Sequence, residues 1–359
     1  MVRMALIGCG RISYKHIEAI EKNMEKVELV AVCDISKEKA LKRAEEFKEK
    51  TGKDVKIYID YKNMLENESF DMVAIATESG KHYAISTFFL KKGKHVLVEK
   101  PMALSTKEMK EMVKLSIKNK VKLGVCHQNR YNDPIVELKK KIDSGEFGKL
   151  NYGSINVRWY RDENYYKQAP WRGTWSMDGG SLMNQCIHGI DLLIWMLGNP
   201  IKVYGKIRNF VHPYIEAEDF GSAIVEFENG SIGIIEGTTT VYPKNFEESL
   251  AIFGEKGSAE IGGLAVNKVN LWRFENNDNI NIGGKDPDTV YGFGHTKLYS
   301  EFIKSIENDT EFLINGKSGS MAPSIVLAIY KSYKEGMPVN LPVEFSTEQM
   351  KGINLGNLQ

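Results

Sequence analysis

The chain has 359 residues, 42% of them apolar and 26% charged, and its 48 basic side chains are balanced by 47 acidic ones to a net charge of +1. That length suggests two domains, each large enough for its own core, and the neutral balance excludes a protein that grips nucleic acid or an anionic membrane by global charge. The apolar start MVRMALIGCG is too short for a signal peptide, and no later run approaches the roughly 20 apolar residues of a membrane span, so a cytoplasmic location is expected.

Through residue 126, short β-rich runs alternate with helix-period segments. Strands are expected at Met4–Gly8, Val27–Cys33, Lys56–Tyr58, Asp71–Ile75, His95–Glu99 and Lys122–Cys126, with amphipathic helices at Lys37–Lys50, His82–Lys92 and Thr106–Asn119. Strict alternation implies right-handed crossovers and a doubly wound parallel sheet covered on both faces. Cys9, Cys33, Cys126 and Cys186 are scattered without a CxxC pair, which fits reduced buried thiols and neither a disulfide framework nor a zinc site; no metal is expected.

The texture changes after Gln128-Asn129-Arg130-Tyr131. One further helix, Pro134–Ser144, precedes longer alternating strands at Asn151–Tyr160, Val203–Phe210, Asp219–Phe227, Ser231–Val241 and Glu248–Gly254, with a hairpin turn at Glu228-Asn229-Gly230. Helices are expected at about Gly180–Leu197, Thr296–Glu307 and Gly319–Lys334. The second domain, residues 127–359, is therefore read as an α+β unit with a large, mostly antiparallel open sheet, and residues 1–126 as a Rossmann-like unit.

The first strand runs into Gly8-Cys9-Gly10-Arg11-Ile12-Ser13 and then a helix, the position of a dinucleotide fingerprint. Gly8 permits the tight turn, Gly10 the approach of backbone to a pyrophosphate, and Ser13 stands where a third Gly or Ala is usual. Asp34 ends the second strand, where a carboxylate accepts from ribose hydroxyls and repels a 2′-phosphate; this favours NAD, the other reading of Asp34 being a helix N-cap before Lys37. Later strand ends at Thr77-Glu78, Glu99-Lys100 and Gln128 complete the expected cofactor side, together with Arg11, Ile12 and His82.

Four elements in order, Gly8-Cys9-Gly10, Glu99-Lys100-Pro101, Gln128-Asn129-Arg130-Tyr131, and Gly179-Gly180 followed by His188-Gly189-Ile190-Asp191, resemble the glucose–fructose oxidoreductase/inositol dehydrogenase (Gfo/Idh/MocA) family over essentially the whole chain. The resemblance implies a lysine, Lys100, between nicotinamide and substrate and a proton-transfer histidine, His188. Oxidising a secondary alcohol needs a base for the hydroxyl proton and a cation beside the developing alkoxide, and these two residues supply both roles. Asn184 and Asp191 are expected on overlapping faces of the His188 helix, Asp191 orienting the imidazole. Many relatives carry aspartate where this chain has Asn184, which cannot exchange a proton, so Asn184 positions substrate.

The stretch from Arg158-Trp159-Tyr160-Arg161 through Tyr165, Tyr166, Gln168 and Trp171-Arg172 resembles the branch of the family that acts on UDP-N-acetylglucosaminuronic acid at the 3-hydroxyl. It gathers arginines and tyrosines suited to an acidic sugar nucleotide. Arg158, Tyr160, Tyr166 and Gln168, with Lys100, Asn184 and His188, form the expected substrate set, and Trp171 and Arg172 are implied to reach the cofactor or the catalytic centre. An arm packed on a neighbouring subunit is the alternative reading of this stretch. The resemblance also implies a homotetramer, and 2-oxoglutarate as a re-oxidant of NADH. Tyr291-Gly292-Phe293-Gly294-His295 leads a helix containing Tyr299 and is read either as a loop near the nucleotide or as a plain lead-in turn. Two rival functions are an uncharged polyol or sugar dehydrogenase and a non-catalytic NAD-binding regulator.

Overall fold

The computed structural model describes residues 1–275 and 289–356. A parallel six-stranded sheet is formed by β1 (Val2–Ile7), β2 (Val27–Cys33), β3 (Lys56–Tyr58), β4 (Met72–Ile75), β5 (His95–Val98) and β6 (Leu123–Val125), in the order β3-β2-β1-β4-β5-β6. Every residue of β4 and β6 is buried, as strands covered on both faces must be. The connecting helices begin and end where side chains dictate. Ser36 accepts from the Lys39 amide at the start of helix Lys37–Thr51, and Gly52 ends it at φ +72°.

The chain divides into two compact units, and the first is discontinuous: it gathers Met1–Ala103, Glu108–Gln128 and Gly294–Ser320. Sequence reading placed a single boundary near residue 126 and missed the return. Helix Gly294–Glu307 packs on helix Ser13–Glu21, and Asn23 Nδ2 donates to the Thr296 carbonyl at 3.2 Å. Gly294 makes the return possible, because a Cβ there would lie 2.0 Å from the Gln128 carbonyl oxygen.

Among its described residues the second unit carries eight strands: β7 (Leu150–Arg158), β8 (Pro200–Arg208), β9 (Phe220–Phe227), β10 (Ile232–Thr238), β11 (Glu247–Gly254), β12 (Gly257–Gly262), β13 (Lys268–Phe274) and β14 (Val339–Asn340), ordered β13-β12-β11-β7-β10-β9-β8-β14. All pairs are antiparallel except β7 with β10. The expected hairpin joins β9 to β10, with Gly230 at φ +84° and the Asn229 side chain accepting from the Ser231 amide. Strands β12 to β14 were not foreseen. Helices Ile187–Leu197 and Met321–Glu335 cover one face of this sheet. On the opposite face Tyr152, Tyr204, Ile224, Ile232 and Ile234 are exposed, and the register puts Ile234 beside Ile224, Ile224 beside Tyr204 and Ile232 beside Tyr152. No helix among the described residues is long and apolar enough to cross a membrane.

Candidate active site

In the first unit the strand order reverses between β1 and β4, the point at which doubly wound sheets bind ligands. Gly8 stands there at φ +92°, and a Cβ on it would lie 2.5 Å from the Ala76 carbonyl group, so only glycine fits between the ends of β1 and β4. Gly10 has nothing within 4 Å of the position a Cβ would take, which leaves its backbone open to a phosphate group. Ser13 is buried and its hydroxyl donates to the Gly10 carbonyl at 2.6 Å, so it pins the loop to the first helical turn. Arg11 is exposed and Ile12 half-buried, at the start of the same helix.

Asp34 is not the helix cap; Ser36 is. Its Oδ2 accepts from the Cys9 amide and its Oδ1 from the Ser36 amide, both at 2.8 Å, which ties the glycine loop to the end of β2. Thr77 and Glu78 follow β4, half-buried. His82 is fully buried, with Nδ1 2.7 Å from the Pro101 carbonyl oxygen and Nε2 3.1 Å from that of Thr77. As a neutral imidazole it donates to one of these carbonyls and lies against the other, and burial holds its pKa below the ordinary histidine value. Glu99 turns inward and Lys100 is half-buried at the strand end. The open Gly10 backbone, the helix N-terminus and the Asp34 carboxylate fit a dinucleotide, which when bound accepts the hydride.

In the second unit the helix expected over Gly180–Leu197 is two helices, Ser181–Asn184 and Ile187–Leu197. Asn184 and His188 therefore lie on separate helices rather than one face. Gly189 lets the second helix lie tight on the sheet, since a Cβ there would be 2.6 Å from Ile155 Cγ1. Asp191 is gripped by Arg130 through Nε and Nη2 at 2.7 and 2.6 Å, both side chains almost wholly buried. Such a bidentate pair is an internal brace. Asn184 is fixed instead by Asp178, to which its amide donates, and by Gln185, whose Nε2 donates to Asn184 Oδ1 at 2.6 Å.

The arginine-rich stretch splits in two. Arg158 sits between Glu236 and Glu247, with Nε and Nη2 each 2.7 Å from Glu236, so two carboxylates on adjacent strands more than cancel its charge. That corrects the expectation of Arg158 as an anion ligand. Tyr166 is likewise packed away, its ring against His212 and Tyr214 and its hydroxyl 3.3 Å from Thr239 Oγ1. Tyr160 is half-buried against Tyr242, and Gln168 is exposed after the short helix Glu163–Lys167.

Arg161 and Arg172 behave differently. Arg161 donates to Gln185 Oε1 at 2.9 Å, to the Tyr160 carbonyl and to Asn245; Arg172 donates to the Tyr165 hydroxyl. Both guanidinium groups lie over the Tyr165 ring, at 5.2 and 4.2 Å, and Arg172 also over Trp171. Among the described residues neither is paired with a carboxylate. Tyr165 and Gln185, which sequence reading left out of the site, connect this cation pair to Asn184, since Gln185 Nε2 donates to the Tyr165 hydroxyl at 2.8 Å.

This assembly of a Rossmann unit and an open-sheet unit defines an NAD-dependent oxidoreductase acting on CH–OH groups. The chain belongs to the Gfo/Idh/MocA family: residues 2–127 match its NAD-binding Rossmann fold and residues 135–260 its C-terminal domain. It is 36% identical to the WlbA dehydrogenase of Bordetella pertussis, solved with NADH and UDP-GlcNAcA, over 96% of this chain and 99% of that one, with a TM-score of 0.84. The WlbA of Chromobacterium violaceum, solved with the same two molecules, shows the same identity and TM-score over 96% of this chain and 97% of that one. A scyllo-inositol 2-dehydrogenase (NAD(+)) of Bacillus subtilis is 27% identical, over 96% of this chain and 97% of its own length.

Proposed function

We propose that the protein oxidises the 3-hydroxyl of UDP-N-acetyl-D-glucosaminuronic acid to the 3-keto sugar nucleotide. The observation that carries this reading is the Arg161–Arg172 pair, two guanidinium groups with no carboxylate partner among the described residues, beside Asn184 and Gln185, where an acidic sugar nucleotide needs them. Likeness to two WlbA proteins solved with UDP-GlcNAcA supports it. Lys100 and His188 stabilise the alkoxide and take the hydroxyl proton, Asn184 positions the sugar, and the hydride leaves C3 for the cofactor. The keto product supplies an aminotransferase in diacetamido-uronic-acid and lipopolysaccharide synthesis in the cytoplasm. A homotetramer would cover the exposed Tyr152–Tyr204–Ile234 face.

The test is incubation with NAD and UDP-N-acetylglucosaminuronic acid, with and without 2-oxoglutarate, followed by mass analysis for loss of two hydrogens. Turnover of inositols instead would favour the uncharged polyol reading, which the Bacillus relative suggests. Lys100→Met should lose at least about 100-fold in turnover while still binding NAD. Arg161→Met should raise KM for the acidic substrate about tenfold, whereas Arg158→Met should change KM little.

A further inference from the structure

The loop Tyr291–His295 and the helix behind it have no place in the proposed chemistry, yet they end in the core of the first unit. His295 and Tyr299 are buried there beside Glu99 and His16, from the helix that follows the glycine loop. Glu99 Oε1 accepts from His16 Nε2 at 3.1 Å and from His295 Nε2 at 3.4 Å, and Oε2 accepts from the Lys100 amide at 3.2 Å. Tyr299 closes the chain: its hydroxyl lies 2.6 Å from His16 Nδ1, which accepts once Nε2 donates to Glu99.

We propose that His295 and Tyr299 are positioning residues for Lys100: with His16 they hold Glu99 turned into the core, and because Glu99 Oε2 accepts from the Lys100 amide at 3.2 Å, this fixes the peptide from which the Lys100 side chain leaves just past β5. The proposal rests on the reading of Lys100 as a group of the reaction. It gives the discontinuity of the first unit a purpose, since two members of the brace arrive from beyond residue 293.

Charge agrees with geometry. Burial alone would raise the Glu99 carboxyl, but the hydrogen bonds from both imidazoles hold it well below the ordinary glutamate range. His295 is held neutral, since burial lowers its pKa. On the far side of Lys100, His82 holds the Pro101 carbonyl, so the lysine is braced at both neighbours. His16, Glu99 and His295 also have the make-up of a metal site, but both imidazoles meet one carboxylate oxygen at hydrogen-bond distance, so the set needs no ion.

The test uses the full chain with Tyr299→Phe and His295→Gln, and with Glu99→Gln as a harsher third variant. Lysines are reductively methylated with ¹³C, and the Lys100 resonance, identified by its absence in Lys100→Met, is titrated. All three variants are expected to shift that titration, and to lower kcat on the sugar acid about tenfold or more at nearly constant KM and NAD affinity. An unchanged Lys100 titration in Tyr299→Phe and His295→Gln, with the fold and NAD binding intact, would reduce the cluster to a core brace and overturn the proposal. So would stoichiometric zinc in protein purified without chelator. If the wild type fails to turn over the sugar acid, the substrate reading falls while the resonance still decides the brace.

Discussion

Glu99 in the first unit and Glu218 in the second are both buried, and their carboxyl groups are shifted in opposite directions. Glu99 faces His16, His295 and the Lys100 amide and is held below the ordinary range. Glu218 is raised from 4.5 to about 8: burial dominates, and the nearby Asp178 adds to it against the hydrogen bonds from the Leu182 amide and the Tyr330 hydroxyl. Glu218 Oε2 has no partner among the described residues. Depth is the same in both sites, so depth does not set the charge. What faces the carboxyl group does: two imidazoles at Glu99, and the Asp178 anion at Glu218.

The largest expected effect tests the Glu99 side. Glu99→Ala leaves two imidazole donors and an amide buried without an acceptor and should cost about 4 kcal/mol at pH 7 by denaturant unfolding. Because the folded-state pKa is lowered, the wild-type advantage is present above the ordinary carboxyl range and should fade as pH falls through the folded value. Gly180→Ala comes next. Its Cβ would lie 1.9 Å from Glu218 Oε2 on a backbone at φ +97°, so a loss of about 3 kcal/mol is expected in the same measurement.

Glu218→Gln should have the opposite pH signature. With the folded pKa raised, Glu218 contributes stability fully below about 4.5, and that contribution is lost as pH rises through about 8. The glutamine variant should lack this decline and gain about 2 kcal/mol on the wild type between about pH 5 and pH 6.5. Parallel pH–stability curves would break the contrast. Tyr330→Phe is the smallest change: it removes one donor from Glu218 Oε1, should cost about 1 kcal/mol, and should move the Glu218 step still higher.

How much of this was legible in the sequence follows from which forces are local. The parallel sheet was, because buried strands read as continuous apolar runs between amphipathic helices, and the cofactor loop was, because glycine spacing reports backbone needs. The Asn229-Gly230 hairpin was plain for the same reason. The amphipathic stretch from Thr296 showed that one face is buried but not against what, so its return to helix Ser13–Glu21 was invisible. Asp191 looked like a partner for His188 by helical spacing, yet Arg130, far away in sequence, holds it. Arg158 looked like an anion ligand because its two glutamates come from other strands. Nothing in Gln185-Cys186, neither proline nor glycine, announced the helix break.

The discontinuity of the first unit also fixes a timetable. Chains are made from the amino end and domains tend to fold as they emerge, but here residues 294–320 are needed to cover the helix that begins at Ser13. Synthesis therefore reaches the end of the unit that binds NAD only after the strands β7 to β13 of the other unit have left the ribosome. A nascent chain stopped at residue 128 carries every strand of the Rossmann sheet and lacks the brace around Glu99.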